Sequence, residues 1–104
     1  MGKLNDDMCI KIDDKEWTIR FTKENLGLDQ WGVCQYSTRS ILIDPDLRGI
    51  ERLDTIIHEL LHACLSDCSE DAIWRTSEVL SEVLALGGLV KKRYTKNNNS
   101  SKNP

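Results

Sequence analysis

The chain carries both of its histidines in one five-residue string, His58-Glu59-Leu60-Leu61-His62, within a stretch that has the apolar spacing of a helix. Residues four apart on a helix lie on the same face, so the two imidazoles can reach a single tetrahedral metal ion. Glu59 then stands beside the open coordination position. This pattern is typical of the metal-binding helix of zinc-dependent peptidases.

The spacing also indicates the chemistry that the string could support. A bound Zn²⁺ lowers the pKa of its water ligand to about 7, and a neighbouring carboxylate can accept the proton as the water attacks a polarised carbonyl. Since the chain has no other histidine, a third protein ligand must be a carboxylate or a thiolate. Zinc peptidases with three histidine ligands are therefore excluded.

Two histidines one turn apart also occur by chance on solvated helix faces that bind nothing. The rest of this helix favours a ligand face, because His58 and His62 fall together with Glu51 and Thr55 on one side. The opposite side is apolar and consists of Ile50, Leu53, Ile56, Ile57, Leu60, Leu61 and Cys64. We therefore predict a helix that packs on the core by one side and presents its histidines to an open site.

Size and charge limit the other function classes. A chain of 104 residues forms one small domain with a single core. Its net charge of -3 gives no overall attraction to nucleic acid, and the basic run Lys91, Lys92, Arg93 and Lys96 fits a solvated helix end, so we predict no nucleic-acid partner. No stretch approaches the roughly 20 apolar residues of a membrane span, and the polar start is unlike a signal peptide, so we expect a cytoplasmic protein.

The four cysteines, Cys9, Cys34, Cys64 and Cys68, show no Cys-x-x-Cys pair, so in a chain without a secretion signal we expect them to be reduced. Cys64 is close to His62 but falls in the apolar stripe of the helix, where free cysteine commonly acts as a small core residue. A carboxylate is therefore the favoured third ligand.

Period-two alternation predicts two β-hairpins, with strands at 8–12 and 16–21 and at 31–36 and 40–44. The turn chemistry of Asp13-Asp14-Lys15 connects the first pair. We predict an antiparallel sheet of about four strands, covered on one side only. The inner face of the first hairpin should carry Ile10, Ile12, Trp17, Ile19 and Phe21.

Two helices should follow the sheet. The first begins near Asp46, which could cap it, or after Gly49, and ends around Ser66–Ser69. The second spans 70–86, with Ser69 as N-cap and a Gly-Gly stop. Its predicted packed side is Ile73, Thr76, Leu80, Val83, Leu84 and Gly87.

The predicted fold class is thus α+β, with the small sheet packed against the motif helix and a second supporting helix. Residues 1–7 should form a flexible N-terminus and residues 8–94 the single domain. Residues 95–104 contain no apolar residue, so they should form a disordered tail.

The third ligand should come from the second helix, because a short turn makes the helices antiparallel neighbours and brings the second helix close to His62. Glu70 lies at the margin of its packed side and is the predicted ligand. Glu78 is the first alternative, and Asp71 points further into solvent. Acidic residues at a helix start also simply compensate the helix dipole. The full set of candidates is Asp67, Glu70, Asp71, Glu78 and Glu82.

The chain resembles the small zincin-like metallopeptidases of bacteriophages and prophages, which are minimal gluzincins related to the ImmA/IrrE type. The likeness covers about residues 8 to 93 and is carried by Trp31-Gly32-Val33-Cys34, Ile41-Leu42-Ile43 and residues 55–64 and 69–73. It implies a compact sheet, a motif helix and a supporting helix. It also implies His58 and His62 as zinc ligands, Glu59 as catalytic residue and an acidic third ligand, matched here by Glu70.

The predicted function is zinc-dependent hydrolysis of peptide bonds, with Glu59 as general base and later proton donor. An edge strand, 31–36 or 40–44, would pair with an extended peptide, and Tyr36 or Arg39 could donate to the transition-state oxygen. The partner would be a peptide or protein substrate, which for a phage-encoded chain includes host proteins in the host cytoplasm. The alternative is a non-catalytic phage-encoded binding protein that retains a structural or vestigial zinc site.

Overall fold

A computed structural model describes residues 6–88 of the chain. The class is α+β, as predicted, and each predicted strand end lies within one residue of its observed position. The elements are β1 Met8–Ile12, β2 Lys15–Phe21, β3 Gly32–Gln35, β4 Ser40–Ile43, α1 Gly49–Cys64 and α2 Glu70–Leu86. The predictions for residues 1–5 and 89–104, including the tail at 95–104, lie outside the described residues. Within residues 6–88, no helix is long and apolar enough to cross a lipid bilayer.

The first hairpin turns through only two residues. Ile12 pairs with Lys15, and the intervening Asp13 and Asp14 have φ values of 52° and 66°. Two left-handed residues in a row are typical of a type I′ turn, whose twist matches that of the strands it joins. The predicted inner face of this hairpin is confirmed. Trp17 and Ile19 are buried, and the partly buried Ile10, Ile12 and Phe21 pack against the same cluster.

The sheet is mixed, so the prediction of an antiparallel sheet is wrong in one pairing. The strand order is β1-β2-β4-β3, and β2 runs parallel to β4, with Ile19 opposite Ile41. The other two pairings, β1 with β2 and β3 with β4, are antiparallel. The reason lies in the run Ile41-Leu42-Ile43, which is buried throughout and therefore suits a strand enclosed between two neighbours. As a consequence, β3 forms an edge of the sheet.

Helix α1 packs on the sheet face that carries the core. Its partly buried Ile56, Leu60 and Ala63 contact the cluster formed by Trp17, Ile19, Ile41, Ile43 and Leu47. The helix begins at Gly49 and has no side-chain cap. Asp46 is therefore not its cap; the Asp46 carboxylate instead pairs with the Lys23 ammonium at 2.9 Å.

Helix α2 begins as predicted, because the Ser69 hydroxyl accepts a hydrogen bond from the Ala72 N–H at 3.1 Å. Its predicted packed side is correct for Ile73 and wrong for most of the other residues. The buried residues are Ile73, Ser77, Ser81 and Ala85, whereas Thr76, Leu80 and Val83 are exposed.

The physical reason is the size and hydrogen bonding of the two serines. Small side chains at a helix contact allow the two axes to come close. The hydroxyls of Ser77 and Ser81 donate within their own helix to the carbonyls of Trp74 and Glu78, at 3.0 Å and 3.1 Å, so their burial leaves no donor unpaired. Serine can therefore form the contact face that an apolar pattern alone would not select.

This packing predicts the effect of enlarging Ser77, which has no exposed surface. Ser77→Leu should lower the free energy of unfolding by about 1–3 kcal/mol, because the extra methylenes have no space between the helices. Val79→Leu adds bulk on the exposed side of the same helix and should change stability by less than about 0.5 kcal/mol. Urea unfolding measures both, and equal effects of the two substitutions would contradict the assigned helix face.

Candidate metal centre

Glu70 joins the two histidines of the motif helix. One oxygen of its carboxylate lies 3.1 Å from His58 Nε2, and the other lies 2.8 Å from His62 Nε2. The two imidazole rings are neighbours, with centroids 4.9 Å apart. Most of each imidazole is shielded, since the side chains of His58 and His62 are 12% and 24% exposed. The predicted open ligand face is thus largely covered by the start of α2.

These three residues could hold a metal ion. Each offers one ligand atom, and the three atoms lie within 4.8 Å of one another. Ligand atoms about 2.0–2.1 Å from a tetrahedral zinc are roughly 3.3 Å apart. The two nitrogen–oxygen distances here, 3.1 Å and 2.8 Å, are each measured to a different oxygen of Glu70 and lie within about 0.5 Å of that value. Within residues 6–88 this is the one group of histidine, cysteine or carboxylate side chains with such geometry.

The other candidate ligands lie elsewhere. Asp71 is exposed beside Glu70, and Glu78 lines a separate pocket with Asp54 and Ser81. The remaining candidates, Asp67, Glu82 and Cys64, are likewise outside the group, and Cys64 is exposed rather than packed in the apolar stripe. All four cysteines are free thiols.

Local structure places Glu70 at the motif helix. Helix α1 ends at Cys64, and a tight turn follows in which the Cys68 N–H donates to the Leu65 carbonyl at 3.0 Å. Ser69 then caps α2, so Glu70 becomes its first residue. One turn later, the Trp74 indole lies nearly perpendicular to the His58 imidazole, with ring centroids 5.3 Å apart. Glu70 and Trp74 therefore meet the motif helix from the same side of α2.

Glu59 is buried beside this group, with only 8% of its surface exposed. Burial, and secondarily the negative charge of Glu70, raises the pKa of the Glu59 carboxyl from 4.5 to about 7. Within the described residues, the buried side-chain atom that has no hydrogen-bond partner is Nδ1 of the neighbouring His58. A carboxyl group with a pKa near neutrality can accept and return a proton at physiological pH.

Gly32 allows the edge strand to approach the motif helix. A Cβ atom at this position would lie 2.9 Å from Thr55 Cγ2, 3.1 Å from the Leu42 carbonyl oxygen and 3.2 Å from Glu59 Cγ. Any side chain would therefore separate β3 from α1. The absent side chain at Gly32 brings the free edge of the sheet directly beside Glu59.

Two clefts meet at the histidines, and His58, Glu59, Gly32 and Glu70 border both. The first has a volume of about 390 Å³, and its other lining residues are Asp29, Trp31, Asp54, Thr55 and Trp74. The second has a volume of about 340 Å³, and its other lining residues are Gln30, Val33, Cys34, Tyr36 and His62. Residues of β3 or next to it line both clefts, so the strand passes along the whole site.

Of the two predicted transition-state donors, only Tyr36 lines a cleft. Its hydroxyl donates to the His62 carbonyl at 2.9 Å and so connects the end of β3 to the motif helix. The Arg39 guanidinium donates to the Glu16 carbonyl at 3.2 Å and borders neither cleft. Cys34, also in the second cleft, is a thiol, because burial raises its pKa to about 11.

Comparison with protein-family models, curated proteins and solved structures finds no match to this chain. The site is therefore interpreted from its own residues. Sequence reasoning did not assign site roles to Trp74 and Asp54, which both line the first cleft. The helical spacing could have identified them, because Trp74 follows Glu70 by four residues and Asp54 precedes His58 by four.

The contact at Gly32 predicts the effect of a single added methyl group. Gly32→Ala should lower the free energy of unfolding by about 1–3 kcal/mol, because the backbone carbonyl of Leu42 cannot move aside. Gly27→Ala is the matched control, since its Cβ would lie 3.5 Å from the nearest atom, a side-chain oxygen of Gln30. Its effect should stay within about 1 kcal/mol. Equal losses in urea unfolding would contradict the tight approach of β3 to α1.

The raised pKa of Glu59 predicts how stability depends on pH in the metal-free protein. The folded state holds the proton more tightly than the unfolded chain, so the contribution of Glu59 is fully present below pH 4.5 and is lost as pH rises through about 7. Relative to Glu59→Gln, the wild type should lose up to about 3 kcal/mol across this window. Urea unfolding of both proteins at a series of pH values measures the difference, and a constant difference would contradict the raised pKa.

Proposed function

We propose that this protein is a zinc-dependent metallopeptidase in which His58, His62 and Glu70 hold the metal and Glu59 acts as general base. The observation that carries the proposal is the contact of the Glu70 carboxylate with both imidazoles beside a buried glutamate. We further propose that it belongs to the zincin-like metallopeptidases, whose sequences it resembles, and that its substrate is a peptide or protein.

Zinc, when bound, would polarise the substrate carbonyl and acidify a water ligand. The proton transfers would be carried out by a side chain of the protein. Glu59 accepts a proton at its carboxylate and returns it to the leaving amine, which a pKa of about 7 permits in both directions. The burial of Glu59 argues against a role in solubility alone, because only 8% of its surface is exposed to solvent.

The edge strand β3 is the proposed binding site for the peptide backbone. Of the two candidate strands, β4 pairs on both sides, whereas β3 pairs only with β4 among residues 6–88. An extended peptide that adds to the free side of β3 would gain main-chain hydrogen bonds and would cross both clefts. Tyr36 is the proposed donor to the transition-state oxygen, since it lines a cleft and Arg39 does not reach the site. Its hydroxyl would have to exchange its bond to the His62 carbonyl for one to that oxygen.

Binding without hydrolysis is the second candidate function, and it has its own support. Helix α2 exposes four aliphatic side chains on its outer side, namely Val79, Leu80, Val83 and Leu86. Contiguous apolar surface of this kind is typical of interaction sites. In this case the metal would fix the junction of α1 and α2, and a partner would contact the outer side of α2.

Metal binding and hydrolysis distinguish the two functions. The wild type should bind one zinc ion, and Glu70→Gln should weaken zinc affinity at least about 100-fold, because it removes a charged ligand. Asp71→Asn and Glu78→Gln remove a neighbouring negative charge outside the ligand group and should bind zinc like the wild type. Competition with a chromophoric chelator measures all four affinities. Unchanged affinity in Glu70→Gln would contradict the assigned ligand set.

In the same series, Glu59→Gln should retain zinc. Its rate of hydrolysis of an unbiased peptide library should be at least about 100-fold lower than that of the wild type, because the general base is missing. Mass spectrometry of the digested library measures the products. Zinc retention without cleavage by the wild type would support the non-catalytic binding function. Equal cleavage by the wild type and Glu59→Gln would contradict the role of Glu59.

A further inference from the structure

The two clefts beside the metal-binding group differ in charge. The first contains the carboxylates of Asp29 and Asp54 in addition to Glu59 and Glu70, whereas the second contains only the latter two. A divalent metal ion bound by His58, His62 and Glu70 would offset the negative charge of Glu70. Asp29 and Asp54 would then remain as the negative groups that belong to the first cleft alone.

The negative surface continues beyond the first cleft. Trp31 and Asp54 also border an adjoining pocket of about 280 Å³, whose other lining residues are Ile50, Glu51, Glu78, Ser81 and Glu82. Neither cavity is lined by a lysine or an arginine from the described part of the chain. A cationic side chain in the first cleft would therefore meet the carboxylates of Asp29 and Asp54 without a competing lysine or arginine in the lining.

Aromatic walls add a second feature that suits a cation. Trp31 and Trp74 both line the first cleft and are 50% and 53% exposed. An indole face attracts a guanidinium or ammonium group by about 0.5–1 kcal/mol at an exposed site and more when water is excluded. Apolar indole surface also suits the methylene stem of lysine or arginine, whose charged end can reach the water-facing carboxylates.

A third observation concerns a polar atom of the metal-binding group. His58 borders the first cleft, and its Nδ1 is the buried side-chain atom of the described residues that has no hydrogen-bond partner. A buried polar atom without a partner is costly unless another molecule contacts it. The acidic and aromatic walls thus adjoin a histidine whose hydrogen bonding is incomplete in the protein alone.

We infer that the cleft between Trp31 and Trp74 selects a peptide with an arginine or lysine beside the cleaved bond, through Asp29, Asp54 and the two indoles. This inference rests on the proposed function, because it names the substrate class of the same site. The second cleft, with Val33, Cys34 and Tyr36, would receive the residue on the other side of that bond without a preference for charge.

The test compares two fluorescein-labelled octapeptides that differ in one central residue, arginine or its neutral isostere citrulline, among alanines. Fluorescence anisotropy measures their binding to zinc-loaded Glu59→Gln, which leaves the peptides intact. At low salt the arginine peptide should bind about tenfold more tightly. Adding Asp29→Asn or Asp54→Asn should each reduce this ratio, and both together should bring it to about threefold, which is the share that the two indoles supply. Raising the salt concentration should also reduce the ratio of the two peptide affinities.

Asp13→Asn is the matched control, because it removes one negative charge from the turn between β1 and β2, where the left-handed backbone accepts asparagine. The tenfold ratio should persist in this variant. A ratio of one at low salt, including no measurable binding of either peptide, would overturn the inference. A loss in Asp13→Asn equal to that in Asp54→Asn would also overturn it, since net charge alone would then account for the preference.

Cleavage of the two peptides by the wild type separates this inference from the proposed function. Equal cleavage of both peptides would overturn the selectivity and leave the peptidase function supported. An arginine preference in binding that depends on Asp54, with cleavage of neither peptide, would support the cleft assignment and argue against hydrolysis.

Discussion

The contact of one carboxylate with two imidazoles determines how the two helices meet. Glu70 is the first residue of α2, and its two oxygens lie beside Nε2 of His58 and Nε2 of His62. This contact requires α2 to return along α1 with one particular side facing it. Trp74 follows four residues later against His58, and Ser77 and Ser81 continue the same helix face at spacings of three and four residues and are buried. The site and the helix packing therefore depend on the same face of α2.

The sheet contributes the other half of the site through a single close approach. Without a side chain at Gly32, β3 lies directly against Thr55 and Glu59 of the motif helix. Because β4 occupies the interior of the sheet, β3 is left at an edge of the sheet that residues 6–88 form. A buried proton acceptor and an edge strand are thus placed side by side, and this proximity is what the proposed peptidase function requires.

Much of the fold could be predicted from local patterns. The alternation in β1 and β2, the Asp13-Asp14 turn and the cap at Ser69 all depend on near neighbours in sequence, and each is confirmed. The parallel pairing of β2 with β4 joins strands that are distant along the chain, so alternation does not encode it. The continuous burial of Ile41-Leu42-Ile43 was the available signal that β4 is an interior strand.

The packed side of α2 is predicted correctly only at Ile73, and the error has a different reason. Apolar periodicity selects Leu80 and Val83, but the contact with α1 uses Ser77 and Ser81, whose hydroxyls bond to their own helix. The candidate site followed from spacing more directly, since the sequence places His58 and His62 one turn apart and Glu70 just after a short turn. The roles of Gly32 and Trp74 depend on contacts between elements, which the sequence pattern does not specify.

The central claim is that His58, His62 and Glu70 bind one zinc ion. X-ray absorption spectroscopy of the zinc-loaded protein tests it most directly, because the method reports the type and distance of the ligand atoms. The account predicts nitrogen and oxygen neighbours alone, at about 2.0–2.1 Å, with the outer-shell scattering of two imidazoles. A sulfur neighbour at about 2.3 Å would assign a cysteine in place of Glu70 and would contradict the account.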